Sequence, residues 1–407
     1  MKCGLLGEKL GHSYSPQIHG FLGNYAYDLY EKQPDELELF LRQGDFTGLN
    51  VTMPYKKTVM SYCDALSPVA QKLKAVNTIV RRADGSLIGH NTDYFGFHSM
   101  VQRTGLQVAG KKVLVLGNGG ASATAVAVLK EQNANVVVIS RSGENNYENL
   151  HVHADASVIV NATPVGMYPK TGISPVNLNL FPHLTGVLDI VYNPARTQLL
   201  MDAEKRGLVT ENGLWMLVAQ ATESAQWFTG KEIPMDKIAW IHQKLQKQME
   251  NIILIGMPGC GKSTIGRVVA QKCDKRFVDA DEAIKEKAGM EIPAIFEKYG
   301  ESGFRAIESK VLDELGKQSG LVIATGGGCV TVERNYDLLH QNGRIIWIQR
   351  AIEKLTTEGR PLSAGGKLQQ MYKYRGPLYQ KFADTIVQND GTIEETVDKI
   401  LYLEAMQ

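Results

Sequence analysis

The eight residues Gly256-Met-Pro-Gly-Cys-Gly-Lys262-Ser263 follow directly on the apolar, β-branched run 252–255, and no other feature constrains the fold as tightly. They match G-x-x-x-x-G-K-[ST] between a predicted strand and a predicted helix, the context in which that pattern has a physical meaning. Gly256, Gly259 and Gly261 let backbone N–H groups curl around phosphate oxygens at a helix N-terminus, with Thr264 following in the first turn. The Lys262 ammonium can neutralise β and γ oxygens, and the Ser263 hydroxyl can ligate Mg2+. Such a turn predicts a nucleoside triphosphate site on a parallel sheet, without naming the acceptor.

A second junction of the same kind lies upstream. The run 113–116 passes into Gly117-Asn-Gly119-Gly120-Ala121-Ser122 and a helical pattern over 121–131, as a Rossmann pyrophosphate site requires. Ser122 stands where the third glycine of G-x-G-x-x-G belongs, so a plain structural turn is the competing reading. The next run, 136–139, ends in Ser140-Arg141-Ser142, where an NAD site would carry an acidic residue for the ribose hydroxyls. An arginine between two hydroxyls favours a 2′-phosphate, and hence NADP, although Arg141 also suits a bare surface. Short apolar runs at 158–160 and 344–348 continue the rhythm, which predicts an α/β fold with two separate doubly wound sheets.

Composition sets the bounds. A chain of 407 residues exceeds the size at which one core keeps growing, so two or three domains are expected. The 44 basic and 43 acidic residues nearly cancel, which gives no general field for nucleic acid and suits small neutral or anionic ligands. Cys3, Cys63, Cys260, Cys273 and Cys329 are odd in number and lack C-x-x-C spacing, which argues against a disulfide framework or a zinc site and for a reducing cytoplasm. Neither a signal sequence nor a membrane span is expected, and nothing in the residues speaks against an oligomer. A helix over 236–249 places Ile238, Ile241, Leu245 and Met249 on one face, and the strand that follows begins without a spacer. The two halves therefore abut near 248–251.

Downstream of the phosphate turn, Phe277-Val-Asp279-Ala-Asp281 ends a predicted strand with two carboxylates that can project toward one cleft, or cap the next helix. Then come Gly303-Phe-Arg305-Ala-Ile-Glu308, Gly326-Gly327-Gly328 after a strand over 322–324, Arg360-Pro-Leu, and Arg375-Gly-Pro-Leu-Tyr379. Singly, each arginine reads as a surface ion pair; in this order after a P-loop, they do not. The set resembles shikimate kinase, over nearly all of 251–407. That resemblance implies a P-loop kinase using ATP and Mg2+, with Asp279 handling the metal, alongside Ser263, and Asp281 at the acceptor hydroxyls as candidate base. It implies that Arg305 and Arg375 clamp the shikimate carboxylate, that Gly326 to Gly328 admit the ring, and that Arg360 closes from a lid onto ATP. The stretch 351–360 is short for the family, leaving Lys354 as the candidate for the basic residue beside adenine.

The first ninety-odd residues carry Gly11-His12-Ser13-Tyr-Ser15, Asn50-Val-Thr52-Met-Pro-Tyr-Lys56, Ala75-Val-Asn77-Thr and His90-Asn91-Thr-Asp93, with Tyr192-Asn-Pro and Met216-Leu-Val-Ala-Gln220 later. Together with the Gly117 turn these resemble shikimate dehydrogenase over residues 2–249. The resemblance implies that Ser13 and Ser15 hold a carboxylate, that Thr52, Asn77, Asp93 and Gln220 surround ring hydroxyls, and that Tyr192 lies nearby. It implies that Lys56 and Asp93 are the catalytic pair. A lysine beside a carboxylate can relay the proton that accompanies hydride transfer, and either member can carry it; the competing reading is a solvent-exposed salt bridge. His12, His19 and His90 read as structural or surface residues.

The expected organisation is a two-lobed dehydrogenase unit over 1–249, with its substrate lobe at 1–94 and 207–249 and its Rossmann NADP lobe at 95–206, followed by a kinase domain over 250–407. The expected chemistry is NADPH-dependent reduction of 3-dehydroshikimate, then MgATP-dependent phosphorylation of shikimate. The alternatives are a broader quinate/shikimate dehydrogenase using NAD, or one half kept as a silent ligand-binding module.

Overall fold

The computed structural model describes residues 1–11, 13–355 and 367–405. They form two compact units, the first comprising Met1–Val165, Ser174–Tyr192 and Asp202–His242, the second Gly166–Ile173, Asn193–Met201 and Gln243–Gln407.

The first unit holds two sheets. One is built from β1 (Lys2–Gly7), β2 (Ala26–Glu31), β3 (Gly48–Val51), β4 (Ala65–Leu66), β5 (Thr78–Arg81) and β6 (Leu87–His90), in the order β2-β1-β3-β5-β6-β4. It is mixed, because β5 runs antiparallel to both neighbours. This third sheet of the chain was not among the two expected. Its strands are short and broken by glycines, and Gly4 is one that cannot be replaced: a Cβ there would lie 2.4 Å from the Tyr30 ring. Leu6, Leu49 and Ile79 from β1, β3 and β5 are fully buried with Leu37 and Leu41 in a core under this sheet.

The other sheet, from β7 (Lys112–Leu116), β8 (Asn135–Ile139), β9 (Val158–Asn161), β10 (Gly186–Asp189) and β11 (Val209–Glu211), has the order β11-β10-β9-β7-β8 and is parallel throughout. Residues Val113 to Leu116 are 0% exposed, as a strand covered on both faces must be. The helices Asp93–Thr104 and Leu214–Thr229 pack closely, since a Cβ on Gly96 would fall 2.7 Å from the Met216 carbonyl oxygen.

The second unit contains β12 (Asn251–Ile255), β13 (Arg276–Asp279), β14 (Leu321–Ala324), β15 (Gly343–Gln349) and β16 (Thr385–Gln388), parallel in the order β13-β14-β12-β15-β16. Ile252 to Ile255 are fully buried at its centre, and each such side chain contributes about 1.5–3 kcal/mol by leaving water. Because β12 lies between strands that run to opposite edges, the turn that follows it opens at a topological switch point, where α/β proteins place ligands. The amphipathic helix Met235–Met249 leads into this strand with Ile238, Ile241, Leu245 and Met249 buried, as the sequence pattern requires.

Candidate active sites

Both phosphate turns are strand–turn–helix corners with glycine where only glycine is comfortable. Gly256, Gly259 and Gly261 have φ of 144°, 84° and 97°, the left-handed half of backbone space. The helix Lys262–Lys272 begins at Gly261 without a side-chain cap, so its first N–H groups are left for an anion. Lys262, 9% exposed, donates to the Gly256 and Met257 carbonyls at 2.9 and 3.1 Å. Its ammonium is thus held over the turn. Ser263 donates to Asp279 at 2.6 Å, which sets two hard oxygen donors side by side as Mg2+ demands. Thr264 is exposed on the same helix turn.

Asp279 ends β13 and also caps the helix Ala280–Ala288, accepting from the Asp281 N–H at 3.0 Å. The expectation that both carboxylates leave the strand end is therefore corrected, since Asp281 lies in the first turn of that helix. Its reach toward the site is nevertheless explicit. A Cβ on Gly326 would lie 2.8 Å from Asp281 Oδ1 and 2.9 Å from Glu308 Oε1. One on Gly327 would lie 2.7 Å from the P-loop residue Pro258, and one on Gly328 would lie 2.1 Å from the Arg305 guanidinium. The Gly-Gly-Gly run is what allows an acidic residue, an arginine and the phosphate turn to converge on one stretch of backbone.

Arg305 is ion-paired with Glu308 at 2.7 Å and with Glu301 at 3.4 Å, and Arg375 donates to the Gly327 carbonyl at 3.1 Å. The Tyr379 hydroxyl donates to the same carbonyl, so Gly327 is fixed from two directions. Glu308 received no role from the sequence, although it stands three residues after Arg305 on one helix, a spacing that brings side chains together. Burial raises its carboxyl above the usual range, against the pull of the adjacent Arg305, and its Oε1 has no hydrogen-bond partner among the described residues. Lys354, exposed, donates to the Asp390 carbonyl at 2.8 Å, at the β15 side of the P-loop. Arg360 lies outside the described residues.

In the first unit, Lys56 Nζ meets Asp93 Oδ2 at 2.5 Å with side-chain exposures of 31% and 19%, partly screened from water rather than on an open surface. Each partner is placed by its backbone. Lys56 accepts from the Val76 N–H, next to Asn77, while Asp93 starts the helix Asp93–Thr104, its N–H bonded to Asn91 Oδ1. Asn77 and Gln220 both reach Thr92: the Asn77 oxygen accepts from the Thr92 N–H at 2.7 Å, and the Gln220 oxygen lies 3.3 Å from the Thr92 hydroxyl. Thr52 is anchored behind β3, its N–H donating to Leu6. Ser15 opens the helix Ser15–Leu22 and its N–H donates to Ser13 Oγ at 3.2 Å, while Tyr14 between them packs edge-on against Tyr192 at 6.2 Å. Burial, then the proximity of Tyr14, raises the Tyr192 hydroxyl pKa. All eight residues expected around this substrate occur in the one unit.

His19 and His90 hold structure, as expected. His19 stacks on Tyr27 and bonds the Tyr25 hydroxyl, while His90 stacks on Trp227 between Ser67 and Glu223. His12 lies outside the described residues.

The dinucleotide turn repeats the phosphate logic. Gly117 has φ of 103°, and Gly119 caps the helix Gly120–Glu131 without a side chain to bond the first N–H groups. A Cβ on Gly119 or Gly120 would meet no atom within 4 Å, so the space before them is open to a ligand. Ala121 follows in the first turn. Ser122 is tolerated at the third glycine position because its hydroxyl turns inward to the Gly117 carbonyl at 2.6 Å, closing the corner. Past β8, Ser140 donates to the Ser142 carbonyl, and Arg141 is exposed at the bend. Among the described residues no cluster of His, Cys, Asp and Glu could hold a metal by itself, and all five cysteines are free thiols.

Two parts of the chain match known families. Residues 258–404 match the family model for shikimate kinase, and residues 5–79 match that for the shikimate dehydrogenase substrate binding domain. A shikimate dehydrogenase (NADP(+)) of Clostridium perfringens is 35% identical over 265 residues, spanning 60% of this chain and 97% of the relative. Among solved structures, shikimate dehydrogenase 1 of Peptoclostridium difficile is 36% identical with a TM-score of 0.56, over 60% of this chain and 98% of that one. Shikimate 5-dehydrogenase of Thermus thermophilus, solved with NADP(H) and shikimate, is 29% identical with a TM-score of 0.55, over 60% and 99% of the two chains. The chain thus belongs to the shikimate dehydrogenase family over its first part and to the shikimate kinase family over its last.

Proposed function

We propose that this is a bifunctional enzyme of aromatic biosynthesis that reduces 3-dehydroshikimate to shikimate and then phosphorylates the shikimate 3-hydroxyl. We propose the dehydrogenase to be residues 1–249, with the Rossmann lobe at 95–206, and the kinase to be 250–407. The observation that carries the reading is the convergence of Asp281 and Arg305 on Gly326 to Gly328 beside the P-loop. It offers a carboxylate clamp and a hydroxyl acceptor next to a phosphate cradle, which are the groups a carboxylated, polyhydroxylated ring would need to become a phosphoryl acceptor.

Bound NADPH supplies the hydride for the first reaction, and bound MgATP supplies the phosphoryl group for the second. In the reduction, Ser13 and Ser15 hold the ring carboxylate, Thr52, Asn77 and Gln220 bind its hydroxyls, and Tyr192 packs beside the carboxylate end. The Lys56–Asp93 pair gives its proton to the ketone oxygen as the alcohol forms and takes it back in reverse. Gly117, Gly119, Gly120 and Ala121 receive the pyrophosphate, and Ser140, Arg141 and Ser142 receive the 2′-phosphate. In the kinase, Arg305 and Arg375 hold the carboxylate and Asp281 accepts the hydrogen bond of the attacking hydroxyl. Ser263 and Asp279 supply oxygens to Mg2+, and Lys262 and Arg360 meet the phosphates of ATP. No helix among the described residues is long and apolar enough to cross a membrane, and five free thiols suit a reducing cytoplasm.

Assaying the purified chain with shikimate and NADP+, and separately with shikimate and MgATP, tests both halves. Turnover in each run supports the reading; folded protein inactive in either run removes that half.

A further inference from the structure

Four polar side chains without a role so far, Asn50, Thr78, Thr92 and Ser224, are buried behind Asn77 and Gln220, each no more than 5% exposed. Burying so many hydroxyls and amides is unfavourable unless each is paired, and all four pair within one network. A backbone N–H can only donate, so the Asn77 atom 2.7 Å from the Thr92 N–H is its carbonyl oxygen. The Thr78 hydroxyl reaches the same oxygen at 3.1 Å, and the Asn77 amino group is placed by that choice. One of its N–H bonds goes to the Thr92 hydroxyl at 3.1 Å, and the second has no acceptor among the described residues. Gln220 is fixed in the same manner, because its amino group donates to the Leu217 carbonyl at 2.9 Å and its oxygen faces the Thr92 hydroxyl.

Ser224 closes the network behind both amides. Its hydroxyl lies 2.9 Å from the Gln220 backbone carbonyl, which only accepts, so its single proton goes there. Its oxygen is left as an acceptor for Asn50 Nδ2 at 2.7 Å and for the Thr78 or Thr92 hydroxyl at 3.0 and 3.1 Å. Asn50 is itself oriented by the Tyr27 hydroxyl, which donates to its oxygen at 2.7 Å. We propose that Ser224 is a positioning residue of the reduction site: its helix-anchored oxygen terminates the network through which the Thr78 and Thr92 hydroxyls hold Asn77 and Gln220 in place for the substrate hydroxyls. The proposal rests on the substrate-binding roles given to Asn77 and Gln220 above. Without that acceptor, the Asn50 amide and the Thr78 or Thr92 hydroxyl lose a buried partner, and the hydroxyls that hold Asn77 and Gln220 are no longer fixed.

The test is steady-state oxidation of shikimate by NADP+ in the full chain. Ser224→Ala raises the shikimate KM about tenfold, as expected for about 1.4 kcal/mol, while kcat and the NADP+ KM stay within about threefold. Thr78→Val, which removes a network hydroxyl without changing side-chain shape, shifts KM the same way and remains informative if Ser224→Ala is poorly folded. Thr222→Val is the control. Thr222 is equally buried on the same helix, but among the described residues its hydroxyl bonds only the Val218 carbonyl, so its loss lowers Tm without raising KM. The proposal is overturned if Ser224→Ala and Thr78→Val leave the shikimate KM within about twofold of wild type, or raise it no more than Thr222→Val does. Wild-type protein that fails to oxidise shikimate would instead remove the dehydrogenase reading, and this proposal with it.

Discussion

The Ser263 hydroxyl and the Asp279 carboxylate meet at 2.6 Å, joining the P-loop to the end of β13. Both oxygens suit a hydrated Mg2+, so Asp279→Asn weakens the metal site more than the ATP site. The kinase then requires about tenfold more Mg2+ for half-maximal rate, while dehydrogenase turnover is unchanged. Initial phosphorylation rates across a Mg2+ titration check this.

Lys56 and Asp93 are the corresponding pair in the first unit. General acid–base participation contributes about 10²–10⁴-fold to rate, so Lys56→Met lowers kcat for shikimate oxidation at least about 100-fold. Phosphorylation of shikimate by the same preparation stays at the wild-type rate. NADPH absorbance and ADP release, followed in parallel, separate the two effects.

Arg141, proposed above to receive the 2′-phosphate, is exposed just past β8. A hydrogen bond to a charged group is worth about 1.5–3 kcal/mol, so Arg141→Ala raises the NADP+ KM by about 10–100-fold. The NAD+ KM changes little. Comparing both cofactors at saturating shikimate measures the difference.

His19 gives the first unit a pH dependence. Burial lowers its pKa to about 3, so the folded protein binds fewer protons there than the unfolded chain at mildly acidic pH. Stability is therefore fully present above about 6.5 and is lost as pH falls toward the folded value, at up to about 1.4 kcal/mol per pH unit. His242, lowered to about 4 by burial and then by Arg103, acts in the same direction. Denaturant unfolding of wild type and His19→Gln at pH 7 and pH 5 checks this, the variant losing about 2 kcal/mol less between the two.

What the sequence made legible was local. Both phosphate corners, their flanking strands and the helix Met235–Met249 follow from patterns a few residues long. The mixed first sheet was hidden because β1 carries Gly4 beneath Tyr30, which breaks the apolar run. The spacing of Asp279 and Asp281 suits a strand end, whereas Asp279 caps a helix and carries Asp281 into its first turn. Ser224 gave no signal at all, since its partner Asn50 lies 174 residues away and only the fold joins them. Glu308 lies three residues after Arg305, but its burial against Asp281 and Gly326 depends on elements far apart in the chain.

The central claim is that one chain runs two consecutive reactions on the same ring. The direct measurement supplies purified protein with 3-dehydroshikimate, NADPH and MgATP, and follows NADPH oxidation together with the phosphorylated product. The account predicts one shikimate 3-phosphate and one ADP for each NADPH oxidised, with the reaction stopping at shikimate when ATP is left out. NADPH oxidation that yields only unphosphorylated shikimate in the presence of MgATP, or no NADPH oxidation by folded protein, would contradict it.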